Sequence, residues 1–421
     1  MTPKVQANAE RYSQTIHETC KWGALGDTTG MNRLALNDDD KKVREWFVSE
    51  MKALGCKILV DEMGNIFAIR AGENNELPPI AIGSHLDTQP RGGRYDGIAG
   101  VQAGVEIMRT LAENKVTTYA PIAVVNWTNE EGARFPKAMV SSGVWGGAIP
   151  LADAHHLHAI GEPEGTTMRT ELERIGFKGD LAASHETNPL LAHFELHIEQ
   201  GPVLEARNID VGIVTGVQGM RWYDVEVQGF EAHTGSTPMN HRADALVAAS
   251  MMIQAIEECA NKHEGLGTVG VINSSPQSTN TIPGNVKFSV DCRHSSEEKL
   301  GPYTEDLFSS LEQIAKSRGV ELKYNEKWRC PQLHFHKDIV NSLKESANSQ
   351  GLSSLDMQSG AGHDSCYTSK RVPTGMLFIP CYKGISHNPT EYASPEALAN
   401  GLHTLIGAVL KYDDLVRSRA N

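Results

Sequence analysis

Three short strand-like segments restrict this chain more than anything else in it, because each carries reactive side chains at or near its end. Pro79 to Gly83 runs into His85-Leu86-Asp87, Pro121 to Trp127 runs into Asn129-Glu130-Glu131-Gly132, and Leu196 to Gln200 carries His197. The first two, short and apolar, read as buried strands, and the third as another short strand with a histidine embedded in it, all of a largely parallel sheet. Helical segments alternate with them. One is Ile98 to Leu111. Another follows Asp38-Asp39-Asp40, whose carboxylates suit a helix start, and Gly55 closes it. Alternating strands and helices give an α/β domain with helices flanking a mostly parallel sheet. Functional groups in such sheets collect where strands end, which is where His85 and the Glu130-Glu131 pair fall.

Past Val217 the texture changes. Arg221 to Gln228 alternates as a half-buried strand, and Arg242 to Lys262 is an amphipathic helix carrying Leu246, Ala249, Ile253 and Ile256. Strands over Thr268 to Asn273 and Val286 to Asp291, a helix over Glu305 to Lys316 and a strand over Val320 to Tyr324 complete a βαββαβ order. That order is ferredoxin-like, an α+β arrangement. The first pattern resumes near Ile339 and ends in a helix over Pro395 to Arg417. The expected organisation is therefore an outer domain of residues 1–217 and 333–421, interrupted by an inserted domain of residues 218–332.

A formal net charge of −13 argues against a nucleic-acid partner and obliges an anionic substrate to find a locally basic pocket. Seven scattered cysteines without a Cys-x-x-Cys pair fit free thiols in a reducing compartment. The first residues lack the apolar core of a signal peptide, and no run approaches the roughly 18 apolar residues of a membrane span. A cytoplasmic protein with no membrane partner is expected.

Four separated segments offer metal-type ligands: His85 with Asp96, the pair Glu130-Glu131, His197, and His387 in Gly384-Ile385-Ser386-His387-Asn388-Pro389. Singly, each reads as a satisfied core histidine or an acidic turn. Together they supply enough nitrogen and carboxylate donors for two metal ions bridged by a carboxylate. If one glutamate binds metal, its charge is neutralised and the other is free to act as a base towards water. His155-His156-Leu157-His158 reads instead as a solvated helix face. The inserted segment holds His233, Asn280 and Arg293. Arginine clamps a carboxylate at two points, and asparagine or histidine donates to a developing oxyanion, which suits a small anionic substrate.

From about Gly30 to Val409, and in order, these motifs resemble the co-catalytic metallopeptidase superfamily that includes aminoacylases and dimeric carboxypeptidases. Asn129-Glu130-Glu131-Gly132-Ala133-Arg134-Phe135, His197-Ile198-Glu199-Gln200-Gly201, Ser359-Gly360-Ala361-Gly362-His363-Asp364 and the segment around His387 are similar to one branch. It holds N-carbamoyl-amino-acid hydrolases, β-ureidopropionase of the yeast type and allantoate amidohydrolase. The resemblance implies a catalytic domain with two divalent ions, zinc first, with manganese, cobalt or nickel as alternatives. It also implies an inserted lid domain that pairs subunits into a homodimer. By position, His85, Asp96, Glu131, His197 and His387 would be ligands, with Asp96 bridging and Asp87 orienting His85. Glu130 would be the general base and acid, and His233 the lid histidine, in this family often supplied by the neighbouring subunit. Asn280 and Arg293 would contact the substrate carboxylate, and Gln200, Gly362 and His363 would make further substrate contacts.

The implied reaction is hydrolysis of a ureido group on N-carbamoyl-β-alanine or an N-carbamoyl-L-amino acid, releasing amino acid, ammonia and carbon dioxide. Lid closure over the substrate is expected. Asp87-Thr88-Gln89-Pro90 with Tyr95 before Asp96 looks more like the carbamoyl-amino-acid members than the allantoate ones. Allantoate or another ureide is the alternative substrate. A catalytically silent binding protein on the same fold is the alternative of another class.

Overall fold

Strand Ile80–His85 is buried along its whole length and lies within a nine-stranded sheet. The structure is a computed structural model that describes residues 5–420. Ile80–His85 pairs in parallel with Ile122–Trp127 on one side and Ala192–Ile198 on the other, and Thr374–Ile379 runs parallel beyond the latter. All four strands are buried throughout. Ile122–Trp127 and Thr374–Ile379 are near-continuous apolar runs, as strands covered on both faces are. Ala192–Ile198 instead alternates, its buried His193 and Glu195 taking hydrogen bonds from Trp127 and from Ser84 and Ser365. Antiparallel strands extend the sheet on both sides: Ile66–Arg70 and Lys57–Val60 beyond Trp127, and Val211–Val217 beyond Thr374–Ile379. Because the four central strands share a direction, their carboxyl ends share one edge of the sheet.

Helix Ile98–Glu113 packs on the strands Ile80–His85, Ile122–Trp127 and Ala192–Ile198. Two glycines let it come close. A Cβ on Gly100 would stand 2.4 Å from the carbonyl oxygen of Leu196, and one on Gly104 would stand 2.7 Å from Val124 Cγ1. Helix Asp38–Ala53 starts as its acidic sequence suggests, with Asn37 as cap. Asp40, however, is buried, pairs with Arg44 at 2.7 Å and accepts from Leu36 N–H. Helix Pro395–Ala420 packs against Lys337–Ser349 and Ala9–Thr19. The chain divides into two compact units: one of the described residues up to Thr215 together with those from Phe335, the other of Gly216–His334.

The second unit has its own antiparallel sheet, in the order Ile272–Ser275, Asn285–His294, Gly219–Gln228, Glu321–Cys330. Helices Ala245–Lys262 and Glu297–Arg318 pack on it around Val227, Met252, Val286, Tyr303 and Leu311. Two details depart from the sequence reading. The single strand expected over Thr268 to Asn273 is split into Leu266–Thr268 and Ile272–Ser275, both paired to Asn285–His294. Between them Gly270 loosens the ladder, and the Ser289 side chain accepts the N–H of Val271 at 3.1 Å. Leu246 lies on the outer face of its helix and is 38% exposed; Ala245, Ala248, Ala249, Met252 and Ile256 form the buried stripe. The sequence around Leu246 is apolar on both stripes, so periodicity alone did not choose between them.

Candidate metal centre

The shared edge of the four parallel strands carries the candidate ligands. His85 is the last residue of its strand and His197 the next-to-last of its own. Glu130 and Glu131 follow Trp127 closely, and His387 follows Ile379 after a short turn over Tyr382–Gly384. Asp96 stands just before helix Ile98–Glu113. Gly97, between them, has φ +64, and a Cβ there would fall 2.3 Å from the His85 ring. No side chain is accommodated at this position, so helix start and histidine can meet.

Asp96 lies between two groups. Its Oδ1 is 3.4 Å from His85 Nε2 and 3.0 Å from His197 Nε2. Its Oδ2 is 3.4 Å from His387 Nε2, which is also 3.4 Å from Glu131 Oε2. His85–Asp96–His197 and Asp96–Glu131–His387 are thus two sets of ligand atoms, each within 4.8 Å of one another, sharing one carboxylate. Glu130 Oε2 stands 3.6 Å from His85 Nε2.

These residues fit a pair of divalent ions. Nδ1 of His85 meets the carbonyl of Asp87 and Nδ1 of His197 meets that of Ile198, each at 2.9 Å. Those carbonyls take the Nδ1–H of each ring and leave Nε2 as the lone-pair nitrogen. The N–H of Gly97 points at His197 Nε2 from 3.3 Å, which agrees with a bare nitrogen there. His85 Nε2 is buried with no hydrogen-bond partner. Lone pairs facing carboxylate oxygens in a buried site call for a cation between them, and imidazole with carboxylate suits zinc and its neighbours.

The surroundings hold these groups in place. Both oxygens of Asp87 accept backbone N–H groups, Oδ1 from Glu130 and Oδ2 from Glu131, each at 3.3 Å. Asp87 therefore fastens the glutamate loop and stands 4.0 Å from His85 Nδ1. Asn129, at φ 58, ties the same loop through Nδ2 to the carbonyls of Phe135 and Lys137. Gln89 donates to Glu131 Oε2 at 2.8 Å. Gln200 donates to Asp96 Oδ2 at 2.7 Å, so its place is behind the Asp96 carboxylate. Glu391, 1% exposed, accepts the N–H groups of Tyr95 and Asp96 at 3.0 and 3.1 Å. Ser386 joins Glu391 Oε2 at 3.0 Å to Asp96 Oδ2 at 2.9 Å. Gln200 and His387 also sit at positive φ, 57 and 54, a backbone strain that a packed site sustains.

Electrostatics follow from crowding charged groups in a dry place. Burial opposes ionisation of Asp96, but His197, His387 and His85 hold it well below the usual carboxylate range. Burial lifts Glu130 well above that range against the pull of His85, and lifts Glu131 to about 7. Burial and Asp96 raise Glu391 to about 7. The bond to Asp96 raises His387 to about 9.

Other residues fall elsewhere. His363 is buried, bonded through Nε2 to Ser359 Oγ at 2.8 Å and packed edge-on to His197 with ring centroids 4.7 Å apart. Gly362 stands against Met139, with room for a Cβ only 2.7 Å from its methyl carbon. His155 is not solvated. It is buried, with Nε2 3.0 Å from the carbonyl of Glu62, and among the described residues its run joins no metal-type group.

In the second unit His233 and Asn280 are brought together where Ala232–His233 pairs with Thr281–Ile282, and Thr234 N–H donates to the carbonyl of Asn280 at 3.2 Å. His233 Nδ1 accepts from Gly235 and Ser236 N–H at 3.1 and 3.3 Å, so its proton is on exposed Nε2. Arg293 is paired with Asp291 at 2.6 Å and lies opposite Met220, at the other end of the sheet from Gln228 and Asn285. The sequence offered little sign of Ser386, Glu391 or the role of Gln89. Ser386 was visible only as a neighbour of His387, and Glu391 as one acid in a loop.

The profile of peptidase family M20/M25/M40 matches residues 81–411. An N-carbamoyl-L-amino-acid amidohydrolase of Rhizobium meliloti is 39% identical over 413 residues, 98% of each chain. The allantoate amidohydrolase of Bacillus subtilis (strain 168) is 32% identical over 399 residues, 94% of this chain and 96% of that one. The solved structure of an amidase of the hydantoinase/carbamoylase family from Burkholderia multivorans superposes with a TM-score of 0.91 at 41% identity, covering 97% of this chain and 98% of that one.

Proposed function

Because the chain belongs to peptidase family M20/M25/M40, we propose that it is a metal-dependent amidohydrolase that cleaves the carbamoyl group of N-carbamoyl-L-amino acids. The observation that carries this reading is the pair of ligand sets sharing Asp96, with Glu130 beside them and committed to neither. His85, Asp96 and His197 would hold one divalent ion, and Asp96, Glu131 and His387 the other, zinc being the first choice. Ions held there would supply Lewis acidity, acidifying water and polarising the ureido carbonyl.

The chain's own groups account for the proton and the substrate. Glu130, whose raised pKa suits it to both roles, takes a proton from the attacking water and returns it to the amine nitrogen as the C–N bond breaks. The electron pair of that bond leaves on the amine, and the carbamic acid left behind decays to ammonia and carbon dioxide. His233 Nε2–H is the donor for the oxyanion, with Asn280 beside it, and Arg293, oriented by Asp291, meets the substrate carboxylate. His363 and Gly362 shape the wall beside His197.

Arg293 lies near one end of strand Asn285–His294, whereas His233 pairs with Thr281, which precedes the other end of that strand. Eight steps of strand Asn285–His294 separate Asn285 from Arg293, about 26 Å at roughly 3.3 Å per residue. A ureido amino acid is a few bonds long, which supports a homodimer in which one of the two groups comes from the second copy. The outer helix face with Leu246, Val247 and Met251, and the edge strand carrying Ile272, are the surfaces we assign to that pairing. Among the described residues no helix is long and apolar enough to cross a membrane, and a cytoplasmic place is proposed.

The test is ammonia release from N-carbamoyl-L-amino acids, N-carbamoyl-β-alanine and allantoate, before and after chelation and after adding back zinc or manganese. Preference for allantoate would move the protein to the other named activity. Equal rates before and after complete metal removal would overturn the mechanism. Glu130→Gln should keep both ions and lose turnover by about 100-fold or more.

A further inference from the structure

A second group of metal-type ligands lies in the Gly216–His334 unit and differs in chemistry from the Asp96 centre. Cys259 and His263 are four residues apart at the end of helix Ala245–Lys262 and face Asp306 on helix Glu297–Arg318. His263 Nε2 is 2.8 Å and Cys259 Sγ 3.8 Å from Asp306 Oδ2, and the three ligand atoms all fall within 4.8 Å of one another. Cys259 is 5% exposed, and the His263 ring is backed by Tyr303 with centroids 5.6 Å apart. The Asp306 carboxylate already attracts a cation, because Lys262 Nζ sits 2.7 Å from the same Oδ2 while its side chain is 68% exposed and able to swing away. A concavity of about 540 Å³, lined by Cys259, Lys262 and Asp306 together with Glu258, Ser310 and Gln313, leaves a path for an ion to Cys259 and Asp306 and space for a solvent ligand.

We propose that Cys259, His263 and Asp306 form a second, thiolate-containing site for a borderline or soft divalent ion such as zinc, cobalt or cadmium. Thiolate, imidazole and carboxylate from two helices are a three-ligand set of the kind zinc accepts with one position left to solvent. Binding forms a metal–sulfur bond, releases the thiol proton to water and displaces Lys262 from Asp306. The ion would clasp the two helices that back the sheet of this unit, so its effect is on stability and not on the reaction. The inference stands independently of the proposed function.

Sulfur makes it testable in the intact protein. The Asp96 centre holds only nitrogen and oxygen donors, so a thiolate-to-metal charge-transfer band can come only from elsewhere. Protein stripped of metal is titrated with cobalt(II) and, separately, cadmium(II), following near-ultraviolet absorption and metal stoichiometry. The expected result is a charge-transfer band whose full intensity corresponds to one ion per chain beyond those the Asp96 centre takes up. Cys259→Ser should lose the band and that one ion while keeping hydrolytic activity. His263→Gln should bind at least tenfold more weakly, and Lys262→Ala several-fold more tightly. No such band in the wild-type protein overturns the proposal, and so does a band that survives in Cys259→Ser with wild-type intensity.

Discussion

Glu391 is the residue whose removal tests the geometry of the centre most sharply. Its Oε1 accepts two buried backbone N–H groups, of Tyr95 and of Asp96 itself, and its Oε2 reaches Asp96 again through Ser386. Glu391→Ala leaves both N–H groups without an acceptor in a place water does not readily reach. Each orphaned donor costs about 1–3 kcal/mol, so the variant should lose about 2–6 kcal/mol of stability. Loss of a partner behind a bridging ligand typically weakens metal binding by about 10–100-fold. Glu391→Gln is the control, since its amide oxygen can still accept both N–H groups and its NH2 can donate to Ser386. It should lie within about 1 kcal/mol of wild type. Urea melts of metal-free protein, with metal affinity read by competition against a chromophoric chelator, give both quantities. Wild-type stability and affinity in Glu391→Ala, or identical losses in the alanine and glutamine variants, would refute the assigned hydrogen bonds.

Gly97→Ala forces a Cβ to 2.3 Å from the His85 ring at φ +64; strain and overlap together should cost about 2–5 kcal/mol and displace the histidine. Metal content by elemental analysis should fall below that of wild type, and a variant with full occupancy and normal turnover would contradict the packing. A mixture of a His233→Ala chain with an Arg293→Ala chain should recover part of the activity both have lost, if the two groups acting on one substrate come from different subunits; no recovery in a verified mixed dimer would count against it. Burial holds His193 down to about 3, with Trp127 donating to its Nε2. The unfolded chain binds that proton near pH 6.5, so stability is complete above 6.5 and is lost as pH falls towards 3, by about 1.4 kcal/mol per unit. His193→Gln should remove that slope from denaturant melts between pH 6.5 and 5, and an unchanged slope would place the acid sensitivity elsewhere.

Read without the fold, the chain already pointed to the residues that the structure gathers as candidate ligands. His85, Glu130 and Glu131 each sit at the end of or just beyond an apolar run, and a run apolar on both faces has few places to go except the inside of a parallel sheet; His197 lies in an alternating strand of the same sheet. The nitrogen and carboxylate character of the candidate donors was equally legible, because donor chemistry belongs to the side chain. So was the interruption of the α/β pattern near Val217, where burial period changes from continuous to alternating. Leu246 was misplaced because two apolar stripes on one helix cannot be ranked without knowing which faces the sheet. His155 was read as solvated because a local run says nothing of the Glu62 carbonyl that accepts it.

What the tertiary structure alone decided is how these pieces meet. That Asp96 lies between two sets depends on strands far apart in sequence running parallel and ending on one edge, and on Gly97 letting a helix start against His85. The positions of Glu391, Ser386 and Gln200 behind Asp96, and of Asp87 beneath the two glutamates, are hydrogen bonds between residues tens to hundreds of positions apart. The meeting of Cys259 and His263 with Asp306 depends in the same way on two helices packing side by side. Local pattern determines which residues are able to act; the direction and order of strands determine which of them share a site, because only the folded chain sets distances between residues that sequence separates.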